Sequence, residues 1–356
     1  MKIIIPISYF GKSGGYRVLS ELANHWIKNR HEVSFLVNAN SDEPYFPTQA
    51  KLVWYDSNGK IVSGKNIDFK KTESNYFTLT FALYKAINFQ NADVVLANQS
   101  LTALPVSLSK IKAKKFYYIQ AYEPFYYESL KGIKGAVLKF ISRVSYKHKL
   151  VKIVNSPLYF DYKEIKASKC VFPGLDFSVF KPIDGLKSTT KLIIGCIGRI
   201  EVYKGTSYVL EAFQLIKKNK NIDIELHIAF GDPLVECEGI KVIDVMGDAQ
   251  LAEFYNKVSI LIAPGTYQLG AVHYPVIEAM ACKTPVITTG YLPANDTNAW
   301  LVPIKDSLSI YNQILNIHSN PNLVLSKTNK AFVDVREFEW KIVSDKMIHY
   351  FNESIS

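Results

Sequence analysis

The sequence predicts an α/β protein with two domains, each built on a parallel sheet. The chain has 356 residues, which is enough for two domains of ordinary size. Apolar residues make up 48% and charged residues 21%, so a core can form and a largely disordered chain is excluded. Short β-branched runs alternate with segments of helical period, and this alternation restarts after a polar stretch at 181–190.

The first half begins with a strand at 2–7, a glycine-containing turn, and a helix at 16–29 whose apolar residues recur at helical spacing. Further strands are predicted at 32–37, 51–55, 93–97, 116–119, 151–154 and 169–172. The stretch 181–190 (KPIDGLKSTT) is polar and contains Pro and Gly, so we place the interdomain linker there.

The second half repeats the alternation with helices at 207–218, 249–258 and 276–281, and it ends with a helix at 340–351. Its predicted strands are 191–197, 224–229, 242–245, 260–263, 285–288 and 301–302.

Charge is distributed unevenly along the chain. The formal net charge is +10, and residues 1–180 carry 25 Lys and Arg against 13 Asp and Glu. The excess is densest at 110–152, where 11 basic residues face only Glu123 and Glu128. This asymmetry indicates an anionic partner for the first half: lipid headgroups, nucleic acid or a polyanionic acceptor. A solvated basic surface is the alternative.

Several classes of protein are excluded or disfavoured. No stretch of about 18 uncharged apolar residues is present, which argues against a transmembrane helix. The N-terminus is typical of a first strand rather than a signal peptide. The cysteines form no C-x-x-C, so neither a zinc site nor a disulfide framework is indicated, and a cytoplasmic location is expected. They are Cys170, Cys196, Cys237 and Cys282.

A glycine turn, 11–17, follows the first strand and opens the first helix. Gly14 and Gly15 let the backbone approach a ligand closely, and a helix N-terminus presents N–H groups to an anion. A phosphate or carboxylate is the expected guest, and a plain tight turn is the alternative. The turn lacks G-x-G-x-x-G, and Asn38 stands where a dinucleotide site has an acidic residue, so a nicotinamide cofactor is disfavoured.

Two further motifs follow strands of the second half. Arg199 and Lys204 come after the strand at 191–197, where ligands bind in open α/β sheets, and together they can neutralise a diphosphate. The third motif, at 263–281, places Glu278 early in a helix. Its carboxylate can accept hydrogen bonds from sugar hydroxyls or simply complement the helix dipole. Chance surface cations are the alternative for the second motif.

These motifs together resemble retaining glycosyltransferases of family 4, which have the GT-B fold. The similar segments are the Gly-Gly turn, G-R-x-x-x-x-K-G from Gly198, P-V-I-E-A-M-A-C-K-T-P-V-I-T from Pro275, and the segment 170–182. The resemblance covers most of the chain, is most specific at 195–290 and is weakest at 40–110.

The resemblance implies two Rossmann-like domains facing across a cleft, with the last helix crossing back to the first domain. The domains would be 1–180 with 340–356, on the acceptor side, and 181–339, which binds the nucleotide sugar. By matched positions, Arg199, Lys204 and Glu278 are the catalytic residues: the two cations hold the diphosphate and Glu278 binds the ribose. Gly14 and Gly15 lie against phosphate, and Gly247 lines the base pocket. No metal or cofactor is implied; a UDP or dTDP sugar is the favoured donor.

Two departures alter the expected sugar site. The family has Glu-x7-Glu ending at the position of Glu278, but the first Glu is Gly270 here and a small neighbour is His273. We include Gly270, His273 and Tyr274 in the donor site. The first-domain histidine of the family is replaced by Gln120, in a run with Tyr122 and Glu123 that is similar to the rhamnan-building rhamnosyltransferases. We assign these three to the acceptor side.

Residues 130–150 form a basic amphipathic helix in the sequence. Such a helix can lie on an anionic membrane or pack its apolar stripe on its own sheet. The stripe comprises Ile133, Val137, Phe140, Ile141 and Val144, beside Lys139, Arg143 and Lys147.

The sequence therefore predicts a retaining, metal-independent glycosyltransferase that acts on a glycan or lipid-linked acceptor. Its expected location is cytoplasmic, peripheral to the inner face of the membrane, as in polysaccharide biosynthesis. A catalytically silent nucleotide-binding scaffold of the same fold, suggested by Gly270, is the alternative. A transferase that modifies nucleic acid is a third hypothesis, suggested by the basic first half.

Overall fold

A computed structural model gives the fold and describes residues 1–65, 76–128, 130, 132–198, 201–219, 222–232 and 235–355. The chain divides into two compact units. The first unit comprises Met1–Gly174 with Trp340–Ser356, and the second is Leu175–Glu339. Each unit contains one sheet, and the predicted α/β architecture of two Rossmann-like parallel sheets is confirmed.

The first unit contains an eight-stranded sheet. Its strands are β1 (Lys2–Ile7), β2 (Glu32–Asn38), β3 (Lys51–Tyr55), β4 (Ile61–Val62), β5 (Val94–Ala97), β6 (Lys114–Ile119), β7 (Val151–Val154) and β8 (Lys169–Cys170). They lie in the order β4-β3-β2-β1-β5-β6-β7-β8, and all neighbours are parallel except β3 and β4. The short β4 was not predicted; its two residues leave almost no alternation to detect.

Among the described residues of the first unit, four α-helices precede the second unit in sequence. They are α1 (Gly14–Lys28), α2 (Tyr76–Asn88), α3 (Ser100–Leu108) and α4 (Ile133–Ser145). Residues of α1 are buried in the core on one face of the sheet, and residues of α2 and α3 are buried in the core on the other. The sequence did not predict α2 or α3, because both are apolar on more than one side and α3 contains Pro105.

The second unit contains a six-stranded parallel sheet in the order β11-β10-β9-β12-β13-β14. The strands are β9 (Leu192–Ile197), β10 (Ile224–Ala229), β11 (Ile240–Ile243), β12 (Ile260–Ala263), β13 (Val286–Thr288) and β14 (Trp300–Leu301). The helices are α5 (Thr206–Asn219), α6 (Gly247–Lys257), α7 (Tyr274–Ala281), α8 (Ser307–Ser319) and α9 (Pro321–Asp334).

The last helix, α10 (Trp340–Ile355), lies in the first unit and packs on α1. The indole Nε1 of Trp26 donates to the carbonyl of Ser344 at 3.3 Å, and the rings of Trp26 and Phe351 meet edge to face. Burial of these aromatic rings in the core of the first unit stabilises the packing of α10 on that unit.

The predicted linker, 181–190, lies inside the second unit. The chain before it is already attached to that unit: the amide of Leu175 donates to the carbonyl of Phe338 at 2.6 Å, and Phe180 is buried beside Tyr255. The amide of Ile183 then donates to Asn256 Oδ1 at 2.8 Å. The Pro and Gly residues of 181–190 therefore belong to a loop of the second unit, and the division between the units falls at Gly174.

Candidate functional site

In each sheet there is a point at which the connections that follow two neighbouring strands lead to opposite faces of the sheet. In the first unit β1 lies between β2 and β5, and in the second unit β9 lies between β10 and β12. At such a switch point the loops after the two central strands separate and leave a crevice at the carboxyl ends of the strands. The predicted motifs follow β1, β9 and β12, so both crevices carry them.

The crevice of the second unit contains a cavity of about 230 Å³. Among the described residues that line it, Lys204 is the charged one and no Asp or Glu is present. The lining residues are Ile197, Lys204, Ile262, Ala263, Pro264, Gly265, Val272, His273, Tyr274 and Pro275. The cavity therefore offers a cation and apolar walls, a combination that suits an anionic ligand.

Lys204 is held at the cavity by the turn that precedes α5. Gly205 has a φ of 77°, in the left-handed region, and a side chain there would collide with the carbonyl of Pro264. The amide of Thr266 donates to the carbonyl of Tyr203 at 2.9 Å. The close approach of Gly205 to Pro264 and the hydrogen bond of Tyr203 to Thr266 hold the 201–205 turn against the loop after β12. They restrict the position of the Lys204 backbone.

Arg199, the other predicted phosphate ligand, lies outside the described residues. The neighbouring residue Gly198 directly follows β9. The amide of Gly198 donates to the carbonyl of Ala229 at 2.8 Å. A side chain at Gly198 would collide with Ile228. The glycine therefore serves close packing between β9 and β10.

His273 and Tyr274 stand at the start of α7 and both line the cavity. The imidazole of His273 stacks on the ring of Tyr291, a residue that no sequence motif indicated. The hydroxyl of Tyr291 donates to the carbonyl of Tyr267 at 2.8 Å. The loop after β12 is thus closed against the segment after β13, and the structure brings together Lys204, His273 and Tyr274.

Glu278 is not among the residues that line the cavity; its side chain is 3% exposed. The hydroxyl of Tyr255 donates to its Oε2 at 2.8 Å. A buried carboxylate is costly unless it accepts hydrogen bonds, and Tyr255 on α6 supplies one. Burial raises the pKa of the Cys282 thiol to about 12, and the negative charge of Glu278 is a second, smaller cause.

Gly270 adopts a φ of 83°, and its amide donates to the carbonyl of Gly290 at 2.9 Å. The amide of Leu292 returns a bond to the carbonyl of Ala271 at 3.0 Å. At the position where the resemblance to family 4 predicts a glutamate, this chain has a left-handed glycine in a small bridge between two loops. A larger side chain at this φ would strain the backbone.

Gly247, the predicted base-pocket residue, begins α6 with a φ of 78°. A side chain there would meet open space, because no atom lies within 4 Å of its Cβ position. The amide of the preceding Met246 donates to Gln250 Oε1 at 2.7 Å, and Met246 is itself exposed. The backbone at this turn is accessible to a ligand.

In the first unit, the Gly14–Gly15 turn lies next to Gln120. The Nε2 of Gln120 donates to the carbonyl of Gly15 at 3.3 Å, and a Cβ on Gly15 would approach that amide to 3.3 Å. Nothing lies within 4 Å of a Cβ at Gly14. The ends of β1 and β6 thus bring together three of the predicted residues.

Gln99, at the end of β5, and Tyr16 complete this crevice and were not predicted. The Nε2 of Gln99 donates to the hydroxyl of Tyr16 at 2.8 Å, and that hydroxyl donates to the carbonyl of Tyr9 at 2.6 Å. Gln99 precedes a helix that the sequence did not predict, which explains why no local pattern indicated it.

Tyr122 and Glu123, predicted on the acceptor side with Gln120, turn into the unit. The buried hydroxyl of Tyr122 donates to Glu164 Oε1 at 2.6 Å, and burial raises the pKa of Tyr122. Glu123 accepts from the amide of Ser100 at 2.8 Å and from its hydroxyl at 2.5 Å. Burial raises the pKa of the Glu123 carboxyl. Glu123 thus joins the segment after β6 to α3, and Tyr122 joins the same segment to Glu164, between β7 and β8.

No group of three or more His, Cys, Asp or Glu side chains that could hold a metal ion is found in the part of the chain that the structure describes.

Comparison with known proteins finds a family similarity in the second unit. Residues 191–320 match the family model described as glycosyl transferases group 1. That range contains Lys204, His273, Tyr274 and Glu278. No curated protein sequence matches the chain.

Solved structures cover almost the whole chain. Sucrose-phosphate synthase from Thermosynechococcus elongatus is similar with a TM-score of 0.73 and 15% identity, over 99% of this chain and 98% of that chain. HepE from Anabaena in complex with UDP has a TM-score of 0.73 and 12% identity, over 99% and 100%. The catalytic domain of starch synthase IV from Arabidopsis thaliana, bound to ADP and acarbose, has 0.65 and 12%, over 99% of each chain. The chain therefore has the GT-B fold, and residues 191–320 of its second unit are similar to the glycosyl transferases of group 1.

Proposed function

We propose that this protein is a glycosyltransferase that moves a sugar from a nucleotide-diphosphosugar donor to an acceptor hydroxyl. The observation that carries the proposal is the cavity at the β9–β12 switch point, where Lys204 stands beside the start of α7. A fixed cation there can stabilise the negative charge that develops on a departing diphosphate. The UDP and ADP named with two of the similar structures agree with a nucleotide ligand of this kind.

The residue roles follow from this placement. Lys204, with Arg199, is proposed to hold the diphosphate, and His273 and Tyr274 to contact the donor beside it. Glu278 is proposed to bind the ribose, as the resemblance to family 4 implies. The accessible backbone at Gly247 is proposed to line the base pocket. The Gly14–Gly15 turn remains a predicted phosphate contact of the first unit.

We further propose transfer with retention of configuration, without a metal ion, as in family 4. The described lining of the cavity contains no carboxylate to serve as a covalent nucleophile. We therefore favour attack by the acceptor hydroxyl on the anomeric carbon from the same face as the departing diphosphate. The leaving phosphate accepts the proton of that hydroxyl. The lysine and arginine would supply the positive charge that a metal supplies elsewhere.

The favoured donor is a UDP or dTDP sugar carrying a hexose or deoxyhexose, and the favoured acceptor is a glycan or a lipid-linked glycan. The proposed place of action is the cytoplasmic face of a membrane. The basic excess of the first half supports an anionic surface or acceptor there.

The first test is thermal stability with UDP, GDP, TDP, ADP and CMP, each with a chelator. A ligand at 100 times its Kd stabilises the fold by about 2.7 kcal/mol, which raises the Tm by several degrees. We expect one diphosphate to do so, and Lys204→Ala to remove the shift. Lys218→Ala, in the last turn of α5, is the matched control and should keep it. A panel with no shift in the unaltered protein would overturn the donor site.

Gly270 supports one alternative, a nucleotide-binding scaffold without catalysis. Both functions predict a nucleotide-dependent Tm, but only the transferase consumes the donor. Incubation of the protein with a nucleotide sugar that carries the stabilising nucleotide separates the two functions. The free diphosphate is released only when the sugar is transferred to an acceptor or to water. A salt-sensitive shift with DNA would instead favour the nucleic-acid hypothesis.

A further inference from the structure

Helix α4 exposes three of its large apolar side chains, while the residues that it buries are small. Ile133 is 84% exposed, Phe140 68% and Val137 48%. Their spacing along the helix places them on one stripe. The buried residues of the same helix are Gly135, Ser142 and Ser145. A surface helix ordinarily turns its apolar stripe to the core, so the stripe of α4 lacks the cover that its own unit would provide.

The inward face of α4 is built for close packing. A side chain at Gly135 would collide with the carbonyl of Leu130. The hydroxyls of Ser142 and Ser145 donate to carbonyls within the helix, at 2.9 and 2.6 Å, so neither needs a partner outside it. Reversing the helix to bury Phe140 would place a large ring where glycine and serine now fit. The outward stripe is therefore set by the fold.

Cations border the stripe. Lys134, Arg143 and Lys147 are exposed on α4 and just after it. The nearby carboxylates are already engaged: Glu128 accepts from Lys139 Nζ at 2.8 Å, and Glu164 accepts from Tyr122. An apolar stripe with a basic border complements a layer of anionic headgroups over hydrocarbon.

A second apolar surface lies beside α4. Helix α3 contacts both α2 and α4, and residues of α2 and α3 are buried in the core on one face of the sheet. A groove of about 540 Å³ between α2 and α3 is lined by residues that include Phe77, Phe81 and Leu108, each of them more than half exposed. Lys85 Nζ lies 4.4 Å from the ring centroid of Phe81. The groove thus repeats the combination of apolar surface and cation.

We propose that the face formed by α2, α3 and α4 docks on a lipid bilayer that contains anionic lipids. The stripe of α4 enters the boundary between headgroups and acyl chains, the basic residues lie among the headgroups, and the groove takes up apolar lipid surface. The described helices include none long and apolar enough to cross a membrane, so the contact is interfacial. This inference goes beyond sugar transfer and does not depend on the donor site.

The test is co-sedimentation of the full chain with phosphatidylcholine vesicles, with and without phosphatidylglycerol. We expect binding to the anionic vesicles that weakens with added salt. Ile133→Ser with Phe140→Ser should lower the bound fraction roughly tenfold or more, because the burial of the Ile133 side chain and of the Phe140 ring in the bilayer is lost. Lys134→Ala with Lys147→Ala should weaken binding to anionic vesicles only.

The matched control is Leu325→Ser with Val333→Ser, which removes similarly exposed apolar side chains from α9 of the second unit. It should leave vesicle binding unchanged. All variants should keep the wild-type Tm and nucleotide response, which separates a docking defect from misfolding or a failed donor site. Equal binding by the α4 variant, or no vesicle binding by the unaltered chain, would overturn the proposal. A protein dimer that the α4 variant abolishes would instead identify a second copy as the occupant.

Discussion

The imidazole of His273 lies on the ring of Tyr291, with centroids 4.4 Å apart and planes inclined by 22°. Tyr291 is itself fixed by its bond to the carbonyl of Tyr267. His273 lines the same cavity as Lys204. One wall of the proposed donor site is therefore an aromatic stack anchored to a neighbouring loop, which restricts where the imidazole can lie.

His273→Ala should lower both stability and activity. An aromatic stack contributes about 0.5–1.5 kcal/mol, so the Tm should fall by roughly 2–4 °C. His273→Phe keeps the stack and removes only the ring nitrogens, so its Tm should stay close to wild type. If the nitrogens contact the donor, both variants lose transfer by about tenfold or more, the size of one lost hydrogen bond. Full transfer by the Phe variant would leave His273 with a packing role only.

Gly270→Glu should destabilise the protein and should not improve transfer. A side chain at a φ of 83° costs roughly 1–2 kcal/mol, and the bond from the Gly270 amide to Gly290 holds the backbone there. Gly270→Asn is the control, since asparagine tolerates this region better. Chemical denaturation measures the two costs. A Glu variant with wild-type stability and faster transfer would show that only the carboxylate distinguishes this loop from the family pattern.

Gly205→Ala should abolish the nucleotide-dependent rise in Tm. The alanine meets two obstacles, the φ of 77° and the carbonyl of Pro264, and relieving them moves the adjacent Lys204. Gly185→Ala is a matched control in the same unit, with a φ of 79° and nothing within 4 Å. It should cost about 1 kcal/mol and leave nucleotide binding intact. An unchanged nucleotide response in Gly205→Ala would mean that the turn does not position Lys204.

Much of the fold could be predicted because it depends on local patterns. Most strands of the two sheets are short buried runs rich in β-branched residues, and α1 has the helical period that its burial requires. Helix α2 was missed because its outer face carries Phe77 and Phe81 as well as the apolar residues of its inner face. Helix α8 was also not predicted, although Ile310, Ile314 and Ile317 recur at helical spacing.

The site could be predicted where a motif and a strand end coincide, as at Lys204 and His273. It could not be predicted where the partner is distant in sequence. Tyr291 reaches His273 only because the loops after β12 and β13 are bonded to each other. Only the resemblance places Glu123 on the acceptor side, and its partner Ser100 begins a helix that the sequence did not predict.

Glu225 should make the second unit sensitive to acid. Its carboxylate accepts from Lys191 at 2.6 Å, from Lys241 at 2.9 Å and from His227 at 3.1 Å, and these bonds lower its pKa to about 2. A lowered pKa stabilises the fold above the ordinary value of 4.5, and this contribution is lost as pH falls from 4.5 towards 2. Glu225→Gln should therefore be less stable at neutral pH and lose less stability over that interval.

Denaturant unfolding at a series of pH values measures this slope. The control is Glu253→Gln, which breaks an exposed pair with Lys257 on α6 and should change stability by less than about 1 kcal/mol. A slope in Glu225→Gln that matches the wild type would show that the cluster around Glu225 does not govern the acid transition.

Glu123 should act in the opposite direction, because burial raises the pKa of its carboxyl. The folded state then favours the protonated form, so the contribution is complete below the ordinary value of 4.5 and is lost as pH rises through the raised pKa. Glu123→Gln stays neutral at every pH and should lack this loss. Glu123→Ala leaves the Ser100 amide and hydroxyl without their acceptor and should cost about 3 kcal/mol at any pH. A Gln variant whose stability falls with pH over the same interval as the wild type would assign that dependence to another group.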